Sequence, residues 1–338
     1  MPRDVTRDVV RGLTSLEMTF VNVTNLRWAL HSGYIGQITY ADTIFPCFAF
    51  LSGMSPTPTR RSVGLIGMGL SLHTLSAVAN GKPVVRIPGV LQRLGVASLI
   101  ANEPRLAFLR KYYGVPLVAL WYAITLLGAS KTSLDNPLAH PDYPAADALG
   151  TAQTRIDTLL FGERLYRPTF DPEGLLGSLT TAVSMQIGRS FEDQNLTVSQ
   201  KIIASLGMIT VGEALHLLLP KHAPISKSLW TPSFLLVTSG VSVLKYLAVE
   251  RAIPYLPSTI QTMLLAVGKR SLEVYIVSTL LTMLLKFGGE QSLMDRGLRL
   301  IGSVTGPAGA DYIISLGLTG IVAASAQFMV SQNLRLRW

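Results

Sequence analysis

Residues 113–129 form an uncharged, almost entirely apolar stretch: Tyr113-Gly-Val-Pro-Leu-Val-Ala-Leu-Trp-Tyr-Ala-Ile-Thr-Leu-Leu-Gly-Ala129. A helix that is apolar on all sides needs a buried or lipid environment, and a membrane span needs roughly 20 such residues. On both sides of this stretch, comparable apolar runs occur near residues 10–28, 40–55, 62–80, 88–103, 174–190, 200–219, 230–250, 258–286 and 311–330. The sequence therefore predicts an all-α, polytopic transmembrane helix bundle with about ten spans.

The composition agrees with a membrane protein and excludes several other classes. Only 14% of the 338 residues are charged, whereas a soluble domain averages about 25%. The net charge is +9, but the Lys and Arg residues lie between apolar runs rather than in one patch, which argues against nucleic acid. The single cysteine, Cys47, excludes an intramolecular disulfide, a thiolate zinc site and an iron–sulfur cluster. No metal site is expected.

We expect residues 1–338 to form a single transmembrane domain with a long extracytosolic loop near 130–173. The apolar run near residues 10–28 carries polar residues and is too long for a cleaved signal peptide, so it is expected to remain as a helix. The run at 258–286 is interrupted by Gly268-Lys269-Arg270, which predicts two half-segments.

The positions of Lys and Arg predict the orientation, because short cytosolic loops carry an excess of these residues. With the N-terminus in the cytosol, the same side receives Arg3, Arg7, Arg11, Arg60, Arg61, Arg105, Arg110, Lys111, Arg251, Arg335 and Arg337. Both termini are then cytosolic, and the 130–173 loop is extracytosolic. The expected location is an endomembrane, such as that of a lysosome or vacuole, or the plasma membrane.

The densest polar cluster flanks the first extracytosolic loop. Asn22 lies near the end of the first helix, His31 lies in the loop, and Asp42 opens the second helix. A histidine beside a carboxylate is the minimum for a general base with an orienting partner. Composition alone also allows an interfacial histidine with capping residues.

Two arginines stand out around the fourth apolar run. Arg93 lies inside the run, where a charge usually faces a partner or a polar cavity. Arg86 is seven residues earlier, so two helical turns would place both on one face. Arginine suits phosphate groups well. The alternative is an ion pair between Arg93 and Glu17, the carboxylate inside the first helix.

Other polar residues have structural interpretations as well as functional ones. Asp171-Pro172-Glu173 is typical of a helix start, with an N-cap, a proline and an acid in the first turn. Asp171 and Glu173 could instead recognise an acceptor molecule. Lys227 and Trp230 have the character of interfacial anchors, and Lys227 is a secondary candidate for cofactor contact.

Five blocks of sequence, in order, resemble the membrane acyltransferases typified by heparan-α-glucosaminide N-acetyltransferase and its bacterial relatives. The first comprises Asp8-Val-Val-Arg11-Gly12-Leu13, Phe20-Val21-Asn22, His31 through Gly36, and Ala41-Asp42-Thr43-Ile44-Phe45-Pro46. The others are Arg86-Ile-Pro-Gly-Val-Leu-Gln-Arg93-Leu-Gly95, Phe170-Asp-Pro-Glu-Gly-Leu-Leu176, Pro224-Ile-Ser-Lys227-Ser-Leu-Trp230-Thr231, and Gly268-Lys-Arg-Ser271 followed by Tyr275. Together they span nearly the whole chain.

The resemblance implies transfer of an acetyl group from cytosolic acetyl-CoA to an amino sugar across the membrane. By motif position the essential histidine matches His31, with Asn22 and Asp42 beside it. The candidate contacts for CoA lie in the second, fourth and fifth blocks: Arg86, Gln92, Arg93, Lys227 and Ser271. The acceptor would be a small molecule or glycan, and the family suggests a homodimer in the lipid bilayer.

Two other functions remain open at the level of sequence. A secondary transporter for a small polar solute would also combine broken apolar runs with buried charges. No paired halves are evident, however, and the polar cluster lies at a mouth rather than at the bilayer centre. A membrane O-acyltransferase would use the same chemistry on a hydroxyl group.

Overall fold

The computed structural model describes residues 4–31, 37–55, 57–103, 112, 114–128, 151–168, 170–193, 196–220 and 222–336. Within these ranges every regular element is a helix, and the described β-bridge between Arg167 and Phe170 is isolated. The described α-helices are α1 (Val5–Val23), α2 (Ile44–Gly53), α3 (Thr59–Ala79), α4 (Val90–Asn102), α5 (Val115–Gly128), α6 (Ala152–Phe161), α7 (Gly177–Asp193), α8 (Val198–Leu218), α9 (Pro232–Ala252), α10 (Ser258–Lys269), α11 (Ser271–Lys286) and α12 (Leu293–Ser331). The predicted all-α class is confirmed.

The predicted number of membrane spans is not confirmed. Each of the ten apolar runs coincides with helix, but four described helices are long and apolar enough to cross a membrane: α3, α8, α9 with its short extension to Tyr255, and α12. Helices α4 and α5 have 13 and 14 residues. At 1.5 Å per residue they reach about 20 Å, less than the ~30 Å hydrocarbon core. The apolar helices nevertheless indicate an integral membrane protein.

Two glycine-containing breaks shape the C-terminal third of the chain. The interruption predicted at Gly268-Lys269-Arg270 is present, because α10 ends at Lys269 and α11 begins at Ser271. Within α12, Gly306 adopts φ 77° and is followed by Pro307. This left-handed conformation suits glycine, and the proline removes a backbone donor, so α12 consists of two helices joined at a kink.

The chain divides into two compact units. The first contains the described parts of Met1–His31, Thr39–Phe45 and Lys245–Arg337, and the second contains those of Ser32–Ile38 and Pro46–Leu244. The expectation of a single domain stays a prediction.

In the first unit, α1 packs on α10 at very short range. A Cβ atom added at Gly12 would lie 2.0 Å from the Leu264 carbonyl oxygen, and one at Gly268 would lie 1.8 Å from that of Asp8. Small residues of this kind allow helix backbones to approach closely in membranes. An apolar cluster extends the packing to α11 and α12; its buried members are Val267, Val274, Val322, Ala323 and Ala326.

In the second unit, polar and aromatic contacts join the helices. The Ser62 hydroxyl of α3 donates to that of Ser98 on α4 across 3.0 Å. The Phe50 ring of α2 meets Phe191 of α7 edge to face, at 5.5 Å between centroids. Trp121 of α5 is fully buried in a cluster with Leu176 and Leu229.

Part of the predicted extracytosolic loop is folded. Residues 152–161 form α6, whose N-cap Thr151 accepts a hydrogen bond from the Thr154 backbone. Residues 129–150 lie outside the described part of the chain. Several residues that predicted the orientation also lie outside it, namely Arg3, Arg105, Arg110, Lys111 and Arg337.

Candidate functional site

The loop that follows α1 is fixed by a carboxylate from α12. Asp311 accepts hydrogen bonds from the Thr24 hydroxyl, from the Asn25 backbone at 2.9 Å and from the Asn25 side chain at 3.3 Å. Asn25 therefore has a structural role. The loop then forms a short 3₁₀ turn, Arg27–Ala29, before His31.

The structure places His31 and Asp42 in contact, with Nδ1 of His31 3.1 Å from Oδ1 of Asp42. The Asp42 side chain is fully buried, whereas 48% of the His31 side chain is exposed. The other Asp42 oxygen accepts hydrogen bonds of 3.0 Å from the Thr39 backbone and hydroxyl. The carboxylate is thus held in place within its own turn.

This geometry defines the chemical form of the imidazole. An ionised carboxylate can only accept, so Nδ1 of His31 carries the proton and Nε2 keeps its lone pair. A half-exposed imidazole with a basic Nε2 and a fixed partner can remove a proton from a bound molecule.

Asn22 lies in the last turn of α1 with its side chain exposed. Among the described hydrogen bonds, it takes no part in the network of His31 and Asp42. The placement near the end of the first helix agrees with the sequence, but the structure does not bring Asn22 onto the histidine.

The second group of candidates meets in the other unit, around Arg86. The guanidinium donates from Nε to Asp171 at 2.8 Å and from Nη2 to both Asp171 and Glu173. It also lies over the Tyr166 ring, 5.0 Å from the centroid. Burial alone would lower the pKa of Arg86, but the two carboxylates outweigh it and raise the pKa. Arg86, expected to bind CoA, is therefore paired with Asp171 and Glu173, which were expected to bind an acceptor.

The expected helix start at Asp171 is wrong, since α7 begins at Gly177. The Asp171 carboxylate instead accepts from the backbone of Glu173, two residues ahead, and of Tyr166, both at 2.9 Å. Such a bond to residue i+2 organises a turn, and Arg86 supplies the balancing charge. Arg86 also precedes α4, so it does not share a helix face with Arg93.

Arg93 is buried in α4, with 3% exposure. Its Nη2 donates to the Gly174 carbonyl at 3.1 Å, and its guanidinium lies 5.4 Å from the Trp230 ring centroid. Its Nε atom has no hydrogen-bond partner among the described residues. The alternative partner, Glu17, is instead paired with Lys245.

Trp230 is not an interfacial anchor, because it is fully buried. Its backbone has φ 50°, a conformation that is costly for a bulky residue and clusters at functional sites. Lys227 lies close enough to Glu173 to lower the pKa of that carboxyl. Burial would raise the pKa of Glu173, but Arg86, Arg93 and Lys227 together hold it below its usual value.

The two remaining cofactor candidates lie apart in the sequence and in different units. Gln92 is buried and donates to the Ile87 carbonyl at 3.0 Å, and its amide lies 3.3 Å from His73. His73 in turn lies 2.9 Å from the Arg86 carbonyl. Ser271 is the half-buried first residue of α11.

Sequence reasoning missed Asp157. Its Oδ1 accepts from the Leu175 backbone at 2.9 Å, and the side chain is buried in α6 beside the Asp171 turn. Burial raises the pKa of Asp157 to about 6, against the lowering effect of the Leu175 hydrogen bond and Arg93. Asp157 lies in a segment rich in polar residues, where no apolar periodicity distinguishes buried from exposed positions. The sequence therefore offers no indication that this carboxylate is buried.

The described residues contain no group of three or more His, Cys, Asp or Glu side chains that could hold a metal ion. Two other arrangements of polar side chains bear on chemistry: the pair of His31 and Asp42, and the mixed cluster of arginines and carboxylates around Arg86 and Arg93.

Comparison with known proteins places these arrangements in context. No family model matches the chain. Two curated proteins named heparan-alpha-glucosaminide N-acetyltransferase, from Mus musculus and Homo sapiens, are each 26% identical to it. The matches cover 69% and 71% of this chain but only 46% and 47% of those proteins. The chain is thus distantly related to these N-acetyltransferases, a relationship that supports a transferase at most.

Proposed function

We propose that this protein is a multi-pass membrane acetyltransferase that uses acetyl-CoA, with His31 as its general base. The observation that carries the proposal is the 3.1 Å contact between His31 and the buried Asp42. The distant acetyltransferase relatives support the class of reaction. The proposed acceptor is an amino-sugar-like molecule, in keeping with the glucosaminide in the names of those relatives. We place its binding on the extracytosolic side, where the predicted orientation puts His31.

In this mechanism, Nε2 of His31 removes a proton from the acceptor amine as its nitrogen attacks the thioester carbonyl. Asp42 keeps the imidazole in the active tautomer and stabilises the cation that forms. Collapse of the tetrahedral intermediate breaks the carbon–sulfur bond, and the proton held on Nε2 passes to the CoA sulfur as CoA leaves. Asn22 is our candidate donor to the developing oxyanion, a role in which a single hydrogen bond has a large effect.

Acetyl-CoA is the proposed donor. Arg93, whose Nε has no partner among the described residues, suits phosphate through its fork geometry. Arg86 already donates to two carboxylates, so its contribution would be to hold the cluster. Gln92, Lys227 and Ser271 complete the set of proposed contacts. Asp171 and Glu173 pair with Arg86, and their recognition of an acceptor stays a prediction.

The proposal is tested by acetyl transfer from radiolabelled acetyl-CoA by the purified protein in detergent. The acceptor panel contains glucosamine, acyclic amines and alcohols. Transfer to amines supports an N-acetyltransferase, and transfer to alcohols alone would indicate an O-acyltransferase. Uptake of labelled solute by proteoliposomes without acetyl-CoA, together with no transfer, would overturn the proposal in favour of a transporter.

The order of the steps is also open to measurement. We favour direct attack in a ternary complex over an acetyl-histidine intermediate. Stoichiometric release of CoA before any acceptor is added, absent in His31→Ala, would favour the intermediate.

A further inference from the structure

An exposed tryptophan lies three residues before His31. The Trp28 side chain is 52% exposed although it belongs to a short 3₁₀ turn within the first unit. Large aromatic side chains normally bury most of their area, so its position in the loop that carries the proposed base needs an explanation.

The indole ring of Trp28 is fixed in orientation from two sides. Its Nε1 donates to the Tyr312 hydroxyl at 2.9 Å. The Phe20 ring stacks on it, with centroids 5.8 Å apart and planes 26° apart. These contacts hold the ring plane before any ligand arrives, which reduces the entropy lost on binding.

A second exposed ring extends this surface towards Asp42. The Tyr40 ring lies 6.2 Å from that of Trp28, with planes inclined by 49°, and Tyr40 is 44% exposed. Tyr40 belongs to the turn in which Thr39 fixes Asp42, and Asp42 holds His31. The two rings therefore border the loop segments that present the acid–base pair.

We propose that Trp28 and Tyr40 form a stacking subsite for an acceptor that contains a saturated ring, such as an amino sugar. This inference rests on the proposed function, and it assigns the side chains that would bind the ring of an amino-sugar-like acceptor. The faces of aromatic rings are electron-rich, and they attract the partially positive C–H bonds on the face of a pyranose. Stacking there would add affinity for a cyclic acceptor in the loop region that carries His31.

Direct binding tests the subsite without any reaction. The chain has four tryptophans, of which Trp121 and Trp230 are fully buried. Glucosamine, added to the protein in nanodiscs without acetyl-CoA, should change the tryptophan fluorescence of the wild type but not of Trp28→Phe. The acyclic amine 2-amino-1,3-propanediol should leave both unchanged. If glucosamine has no effect while brominated lipids quench Trp28, the ring is an interfacial anchor and the proposal fails.

Kinetics separate this inference from the proposed function. Trp28→Ala should raise KM for glucosamine about two- to twelvefold, since an aromatic stacking contact contributes about 0.5–1.5 kcal/mol, and leave kcat and the KM for the acyclic amine unchanged. Tyr312→Phe, which removes the hydrogen bond to Trp28 but keeps the ring, should have a smaller effect. Leu30→Ala, at a neighbouring exposed position, serves as the matched control.

Each failure points to a different conclusion. If the wild type transfers acetyl to no acceptor, the proposed function fails, and the fluorescence titration still decides on stacking. If transfer occurs but Trp28→Ala changes KM equally for cyclic and acyclic amines, or for neither, the stacking subsite is wrong and the function stands.

Discussion

At the level of single residues, the proposed function requires Asp42 to orient His31 as a base. In Asp42→Asn the amide can donate to Nδ1, which would leave the proton on Nε2, where the lone pair is required. We expect kcat to fall about 10²–10⁴-fold, with little change in KM for either substrate. Thr39→Val removes only one of three bonds to Asp42 and is the control, expected to retain most activity. Unchanged kcat in Asp42→Asn would contradict the orienting role.

A second residue gives the fold a pH dependence. Because burial raises the pKa of Asp157 to about 6, the folded chain keeps a proton there between about pH 4 and 6 that the unfolded chain has released. Its stability contribution, about 2–3 kcal/mol, is complete below pH 4 and is lost as pH rises through 6.

Unfolding temperatures in detergent from pH 4 to 7 measure this effect. The wild type should lose stability relative to Asp157→Asn as pH rises, since the asparagine keeps an acceptor for Leu175 but does not titrate. The carboxylate of Glu173 has a lowered pKa and acts in the opposite sense, but it is common to both proteins. Parallel curves for the two proteins would rule out the assigned cause.

Individual residues also mark the limit of what the sequence could predict. His31 and Asp42 are eleven positions apart and bracket one short loop, so their proximity follows from a simple hairpin. Arg86 and Asp171 are 85 positions apart, and a pairing at that separation depends on tertiary packing. The sequence suggests CoA as the ligand of Arg86 and an acceptor as the ligand of Asp171, whereas the structure pairs the two side chains with each other.

At the element scale, the approach of α1 and α10 depends on the absence of side chains. A methyl group at Gly268 would meet the Asp8 carbonyl oxygen at 1.8 Å. We expect Gly268→Ala to lower the stability by about 1–3 kcal/mol through overpacking, read as a fall in unfolding temperature.

The matched control for this substitution is Gly320→Ala on α12. Gly320 is also helical and in the first unit, but nothing lies within 4 Å of an added Cβ. There the substitution should be neutral or stabilising, by up to about 1 kcal/mol. Equal effects of the two substitutions would mean that the close approach of α1 and α10 does not depend on Gly268.

The sequence predicted where the helices lie, but it did not predict where each helix ends. Apolar runs located the helices, and the Gly268-Lys269-Arg270 break was correct because no apolar residue continues the run there. The run predicted at 88–103 exceeds α4, because Pro88 and Gly89 precede the first helical residue, Val90.

At the scale of the whole molecule, the distribution of Lys and Arg predicts opposite locations for two exposed positions. Lys82 should face the extracytosolic side and Arg251 the cytosol. In sealed vesicles, Lys82→Cys and Arg251→Cys should react with an impermeant maleimide from opposite sides; the native Cys47 is buried. Labelling of both from the same side would contradict the orientation.

The proposed function requires His31 to perform the chemistry of acetyl transfer. Wild type and His31→Ala, purified in the same detergent, are compared for transfer from labelled acetyl-CoA to glucosamine and for acetyl-CoA binding by calorimetry. We predict a loss of at least about 10²-fold in rate with acetyl-CoA affinity nearly unchanged, because the proposed mechanism gives the imidazole a role in proton removal and none in binding CoA. Full transfer by His31→Ala would contradict this role.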